Sequence, residues 1–184
     1  MAFWDKSGPE NTAATVSEAL RAARARALGR IVAASCTGRT IRELLALDPA
    51  GTEIVCVTHH VGFAGPGVDE MSRETRAELE ARGVKLHTAT HALAGVDRTL
   101  RLKFGGVSPP EILAGALRMF GQGVKVCAEI AIMALDAGLV PYGAEIVAIG
   151  GTGKGADTGC VVRPAHSNDV LETRIVEILC RPRV

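Results

Sequence analysis

Ser35-Cys36-Thr37-Gly38-Arg39-Thr40 is the stretch of this chain best equipped for chemistry. Hydroxyls at Ser35, Thr37 and Thr40 can donate hydrogen bonds, Gly38 lets a ligand approach the backbone, and Arg39 adds charge. Where a strand gives way to a helix, free N–H groups and the positive end of the helix converge on one point, an arrangement that suits phosphate. Thr37 serving only as a helix cap is the equally weighted structural reading.

A second loop, Gly151-Thr152-Gly153-Lys154-Gly155-Ala156-Asp157, offers many backbone donors, one cation in Lys154 and one acceptor in Asp157. It is not a P-loop, because Gly155 stands where a Ser or Thr must follow the lysine. Nor is it a dinucleotide fingerprint, because the glycines run into a strand rather than a helix. Thr58, His59 and His60 close a strand beside the first turn, and alternation along that strand predicts the two imidazoles on opposite faces, one toward the ligand and one packed. Cys36, near a helix N-terminus, would have a lowered pKa and could act as a nucleophile with His59 as base; the competing reading is an inert buried thiol. His59 and His60 with His87 or His91 show no metal-ligand spacing, and no metal is assigned.

The elements that must position these groups are legible from periodicity. Arg30-Ile31-Val32-Ala33-Ala34 has the character of a strand buried on both faces, preceded by a helix with Val16, Ala19, Leu20, Ala23, Ala27 and Leu28 on one side and stopped by Gly29. A helix over 38–47, a strand over 53–58, a helix over 71–82 and a short strand over 84–88 follow in βαβ rhythm. The segment 89–107 breaks that rhythm and has no assignment. Helices over 111–120 and 124–137 lead to strands at 145–149 and 160–163, which are too close for a crossover and so form an antiparallel pair. Glu129 falls inside the most apolar helix and must find a partner.

With 184 residues and 47% hydrophobic content, a single α/β domain over 1–184 is the default. Twenty-one basic against 20 acidic residues leave no global field for nucleic acid or an anionic membrane. Five widely spaced cysteines suggest reduced thiols, no apolar run is long enough to span a membrane, and a cytoplasmic protein is expected.

The succession strand, Ser-Cys-Thr-Gly-Arg-Thr, helix, Ile54-Val55-Cys56-Val57-Thr58 and a late Gly-Thr-Gly-Lys-Gly hairpin resembles the C-terminal domain of pyruvate kinase. More closely, the chain is similar to a family of small stand-alone proteins of that fold, the pyruvate kinase alpha/beta domain-like family. The likeness rests on Gly8-Pro9-Glu10-Asn11-Thr12, Thr58-His59-His60-Val61-Gly62-Phe63, Ala89-Thr90-His91-Ala92-Leu93, Lys103-Phe104-Gly105-Gly106 and Gly150-Gly151-Thr152-Gly153. It implies a three-layer α/β/α fold whose five-stranded mixed sheet has order 3-2-1-4-5, counted from strand 30–34, with strand 5 antiparallel. It also implies FMN as the ligand, and it carries over no phosphoenolpyruvate phosphotransfer, since the catalytic barrel is absent from this sequence.

Three functions are therefore weighed. The leading one is a binding protein for a phosphate-bearing small molecule, FMN, held by Ser35–Thr40 and Gly151–Asp157 at the switch point between the first and fourth strands. The others are a flavin-dependent oxidoreductase using His59, His60 and His91, and a scaffold or homo-oligomeric regulatory subunit with a vestigial socket.

Overall fold

In the computed structural model, which describes residues 1–183, seven strands build one mixed sheet. β1 (Ala2–Trp4) precedes α1 (Thr12–Ala25), after which β2 (Arg30–Ala34), α2 (Arg39–Leu45), β3 (Glu53–Thr58), α3 (Arg73–Ala81) and β4 (Lys85–Thr88) alternate. Three helices then run consecutively, α4 (Val96–Phe104), α5 (Pro109–Arg118) and α6 (Gln122–Asp136), before β5 (Ile146–Gly150), β6 (Thr158–Arg163) and β7 (Arg174–Pro182). The strand order is β1-β7-β6-β5-β2-β3-β4. β4, β3, β2 and β5 are parallel, and β6 is antiparallel to β5.

The expected five-strand order is present as β4-β3-β2-β5-β6, but the sheet is wider by two strands than the sequence suggests. β7 pairs with β6 through two register shifts, which break the clean alternation by which a strand is recognised. β1 is only three residues long and exists because Ala2, Phe3 and Trp4 find Cys180, Arg181 and Pro182 alongside.

The buried strands divide their side chains between two cores. Ile31, Ala33, Ile54, Cys56, Val147 and Ile149 face α1, α2 and α3, while Val32, Val55, Val57, Ile146 and Ala148 face α6. This is the two-residue period of a sheet covered on both sides. Each fully buried aliphatic, such as Ile31 or Ile149, contributes roughly 1.5–3 kcal/mol.

Helix ends depart from the sequence reading in two places that matter. α1 stops before Gly29: Ala27 itself takes the left-handed conformation at φ 53°, and the Leu28 N–H donates to the Ala23 carbonyl across 2.9 Å. α2 is only seven residues long, shorter than the span 38–47, and starts from Gly38 at φ 79°. A Cβ there would lie 2.8 Å from the Thr75 methyl, so the close approach of α3 as well as the backbone angle requires glycine. Within 89–107 the structure places α4, an amphipathic helix with no buried residue.

Candidate functional site

β2 and β5 are neighbours, and from them the sheet grows in opposite directions, toward β3 on one side and β6 on the other. The carboxyl ends of such strands form the crevice where open α/β folds bind ligands. Both loops singled out in the sequence leave this edge, one after Ala34 and the other after Gly150. They then part company.

The hairpin Gly151–Asp157 bends toward α1. Asp157 is fully buried, its carboxylate accepting from the Gly8 and Thr152 N–H groups at 3.2 Å each and from the Thr158 hydroxyl at 2.8 Å. The Trp4 indole donates to the Asp157 carbonyl at 2.8 Å, and the Ala156 N–H donates to the Thr12 hydroxyl at 3.0 Å. Asp157 is thus committed to holding the loop rather than to a ligand, while Gly153 and Lys154 remain exposed at its tip. Behind the loop, Gly123 of α6 packs against Thr158, where any Cβ would fall on the hydroxyl.

The enclosed space opens on the other side, between β2, β3 and α6. A cleft of about 180 Å³ is lined by Ala34, Cys36, Thr58, His59, Phe63 and His91 toward the sheet, and by Arg98, Arg118, Gln122, Lys125 and Glu129 from the helices. Of the residues expected from sequence, Cys36, Thr58, His59 and His91 line it, and His60 does not. Ser35, Thr37, Gly38, Arg39, Thr40 and the hairpin residues Gly151, Thr152, Gly153, Lys154 and Asp157 do not. Ser35 is buried just past β2 and Thr40 in the first turn of α2, Thr37 is exposed and makes no capping hydrogen bond, and Arg39 pairs with Glu43. A wider, more open hollow of about 690 Å³ lies around Asp48–Ile54 and Arg82–Val84, at the amino ends of β3 and β4.

The two histidines do not diverge as alternation predicts, because β3 ends at Thr58 and both lie in the turn beyond it. His59 packs on Phe63 at 3.9 Å between ring centroids and meets His91 edge-on at 5.1 Å, while His60 lies 5.8 Å from Phe63 and 5.9 Å from His91. The four rings form one cluster at the mouth of the cleft. His59 Nδ1 lies 2.6 Å from Glu70 Oε2, and the His59 backbone N–H donates to Cys36 Sγ at 3.4 Å.

The surroundings of the thiol favour its protonated form. Burial pushes Cys36 up to about 11, outweighing the His59 N–H that favours the thiolate, and the nearby Glu70 carboxylate adds to the rise. α2 begins three residues later and is short, so no helix end compensates. His91 is held below its usual value, mainly by burial, with Glu129 opposing and His59, Lys125 and His60 adding to the drop.

Inside the cleft, Lys125 and Glu129 form a buried pair one turn apart on α6, each side chain 5% exposed. The second Glu129 oxygen accepts from the Leu93 N–H at 2.9 Å, which answers the need for a partner that the sequence posed. The order of this pair runs against the helix: the cation lies near the positive N-terminus and the carboxylate further along. Arg98, Arg118, Gln122 and Lys125 escaped the sequence reading because they come from α4, α5 and α6, which only the long crossover from β4 to β5 brings over the strand ends. The one available signal was the pair spacing of Lys125 and Glu129 in an otherwise apolar helix.

The sequence model of the pyruvate kinase alpha/beta domain matches residues 13–162, and the chain belongs to that family. Among solved structures, Cryptosporidium parvum pyruvate kinase in complex with ADP is similar at 18% identity, with a TM-score of 0.45 over 83% of this chain and 23% of that one. Another structure of pyruvate kinase from the same organism matches at 16% identity, with a TM-score of 0.39 over 76% of this chain and 20% of the other. The chain therefore spans less than a quarter of the length of these enzymes. No helix among the described residues is long and apolar enough to cross a membrane.

Proposed function

We propose that this domain binds a phosphate-bearing small molecule in the cleft between the ends of β2 and β3 and the first turns of α6, with FMN as the specific ligand. The observation that carries the reading is the donor set. Arg98, Arg118 and Lys125 reach one 180 Å³ space from three helices. Arg118 uses only its Nε on Gln122, leaving the rest of its guanidinium for an anion. α6 supports the same end of the ligand, since it starts from Gly121 with no side chain capping its first N–H groups.

FMN fits this set in chemistry. Its dianionic phosphate suits the arginines and the helix start, and its flat ring suits the cluster of His59, His60, Phe63 and His91. The enclosed volume is below the roughly 300 Å³ at which organic-ligand pockets usually begin. The cleft proper therefore takes the phosphoester, and the ring belongs to the cluster at its mouth.

Calorimetric titration of FMN, riboflavin and inorganic phosphate into the purified protein tests this. FMN should bind one per chain, riboflavin at least about tenfold more weakly for want of the charge-assisted bonds, and phosphate should compete with FMN. Arg98→Ala and Arg118→Ala should each weaken FMN without altering the circular dichroism. No heat with FMN and no competition by phosphate would overturn the proposal; equal affinity for riboflavin would overturn the phosphate role.

A further inference from the structure

Beside the cleft, three side chains from separate segments converge without any ligand spacing in the sequence. Cys36 follows β2, His59 follows β3, and Glu70 comes from the loop before α3, yet Cys36 Sγ, a ring nitrogen of His59 and a carboxylate oxygen of Glu70 all lie within 4.8 Å of one another. We propose that Cys36, His59 and Glu70 form a site for one divalent transition-metal ion of the zinc class, with its fourth position open to the cleft.

Geometry supports this first. A tetrahedral zinc bound by sulfur, nitrogen and oxygen spaces its ligand atoms roughly 3.3–3.6 Å apart. Within the cluster, His59 Nδ1 and Glu70 Oε2, now 2.6 Å apart, must separate by a fraction of an ångström, while the remaining pairs, all within 4.8 Å, must close by about 1.5 Å at most. The supporting backbone is fixed on all three sides. The Ser35 N–H donates to the Val57 carbonyl, and the Cys56 thiol donates to the Ser35 carbonyl. Thr58, next to His59, shares a hydrogen bond of 2.7 Å with Thr88 of β4. Glu70 stands between Asp69, which pairs with Arg76 and accepts from the Met71 N–H, and Met71, which is 1% exposed. Ligands mounted on such anchors lose little freedom when an ion binds.

Charge supports it second. Each of the three side chains is half-buried, and no cation lies within their hydrogen-bonding contacts. A dication facing a thiolate, a carboxylate and a neutral imidazole forms a set of zero net charge, which suits a partly desolvated position. The metal displaces the Cys36 S–H proton to solvent as the metal–sulfur bond forms, so the ion supplies the compensation that the fold itself withholds from the thiol. Cys36 and His59 both line the cleft, so an open coordination position there faces the same space as Arg98 and Arg118. The imidazole of His91, edge-on to His59, is a neighbour of that position and not one of the three ligands.

The test uses the full chain, freed of any affinity tag, stripped with a chelator and loaded with cobalt(II) or zinc(II) alone. Wild type should take up one ion per chain and, with cobalt, show a sulfur-to-metal charge-transfer band and visible transitions of tetrahedral intensity. Cys36→Ser should abolish the charge-transfer band, and Glu70→Gln should weaken binding by about 10–100-fold. Thermal melts of the metal-free variants check folding, and Cys180→Ser, on β7 away from the cluster, serves as the control thiol that should leave the band unchanged. Uptake below one ion per chain in the wild type, or a band that survives Cys36→Ser, overturns the site. Neither measurement contains FMN, so failure of this site and failure of the phosphate cleft are read separately.

Discussion

Removing the ammonium of Lys125 while leaving Glu129 in place should be among the most damaging single changes available to this protein. Both side chains are 5% exposed, and the only other support for the carboxylate is the Leu93 N–H at 2.9 Å. Lys125→Met keeps the length and the packing of the stem, so its effect isolates the charge. Leaving a buried carboxylate without its cation costs about 3–5 kcal/mol, which for a domain of this size corresponds to a fall in Tm of roughly 6–20 °C. Lys125→Met combined with Glu129→Gln should recover most of that loss, because the Gln amide oxygen can still accept from Leu93 and no charge is left stranded. Urea unfolding of the wild type, the two single variants and the double variant gives the coupling energy directly, expected at about 2 kcal/mol or more in a double-mutant cycle. A Lys125→Met cost below about 1 kcal/mol, with additive effects in the double variant, would show that the pair is effectively solvated and that the enclosed character assigned to the cleft is wrong.

Other perturbations follow from the same coordinates. Ala27→Gly should stabilise the protein by about 1 kcal/mol, since it relieves the left-handed strain at φ 53°, and unfolding by urea would detect it; a neutral or destabilising result would refute the assigned helix end. Gly123→Ala should cost at least about 3 kcal/mol, because its methyl has no space beside Thr158, and a soluble variant with unchanged Tm would contradict that packing. His91 has a native pKa below its unfolded value near 6.5, so the unfolded chain takes up the proton first as pH falls. Stability should therefore hold above pH 6.5 and decline as the pH drops toward the lower native value, with His91→Gln flattening that decline in melts recorded at pH 7.5 and 5.5.

The core of the sheet was legible because parallel strands buried on both faces announce themselves as short aliphatic runs. Ile31 to Ala34, Ile54 to Thr58 and Ile146 to Ile149 mark the strands themselves, the brief spacing between β5 and β6 dictates an antiparallel pair, and the strand order comes from the resemblance to the pyruvate kinase C-terminal domain alone. The edge strands were not legible, since β1 has three residues and β7 bends twice against its partner. At the site, the strand-end position of Ser35–Thr40 is legible, but the direction of the hairpin Gly151–Asp157 is not. Which side of the sheet a loop folds toward depends on long-range partners such as Gly8 and Thr12, both well over a hundred residues from the hairpin they hold. The same reason hid the contribution of Arg98, Arg118 and Lys125. Alternation does not extend to His59 and His60, since it ends with the strand at Thr58.

Trp4 is the sole tryptophan of the chain, and its indole is tied to the carbonyl of Asp157 at the base of the hairpin. Its emission wavelength and quantum yield therefore report on one place alone, the join between the first strand and the glycine-rich loop. Any event that loosens or tightens that loop becomes an optical signal without labelling, and Gly123 of α6, packed against Thr158, gives the cleft a route to the same reporter. The molecule carries its own fluorophore on the β5 side of its switch point.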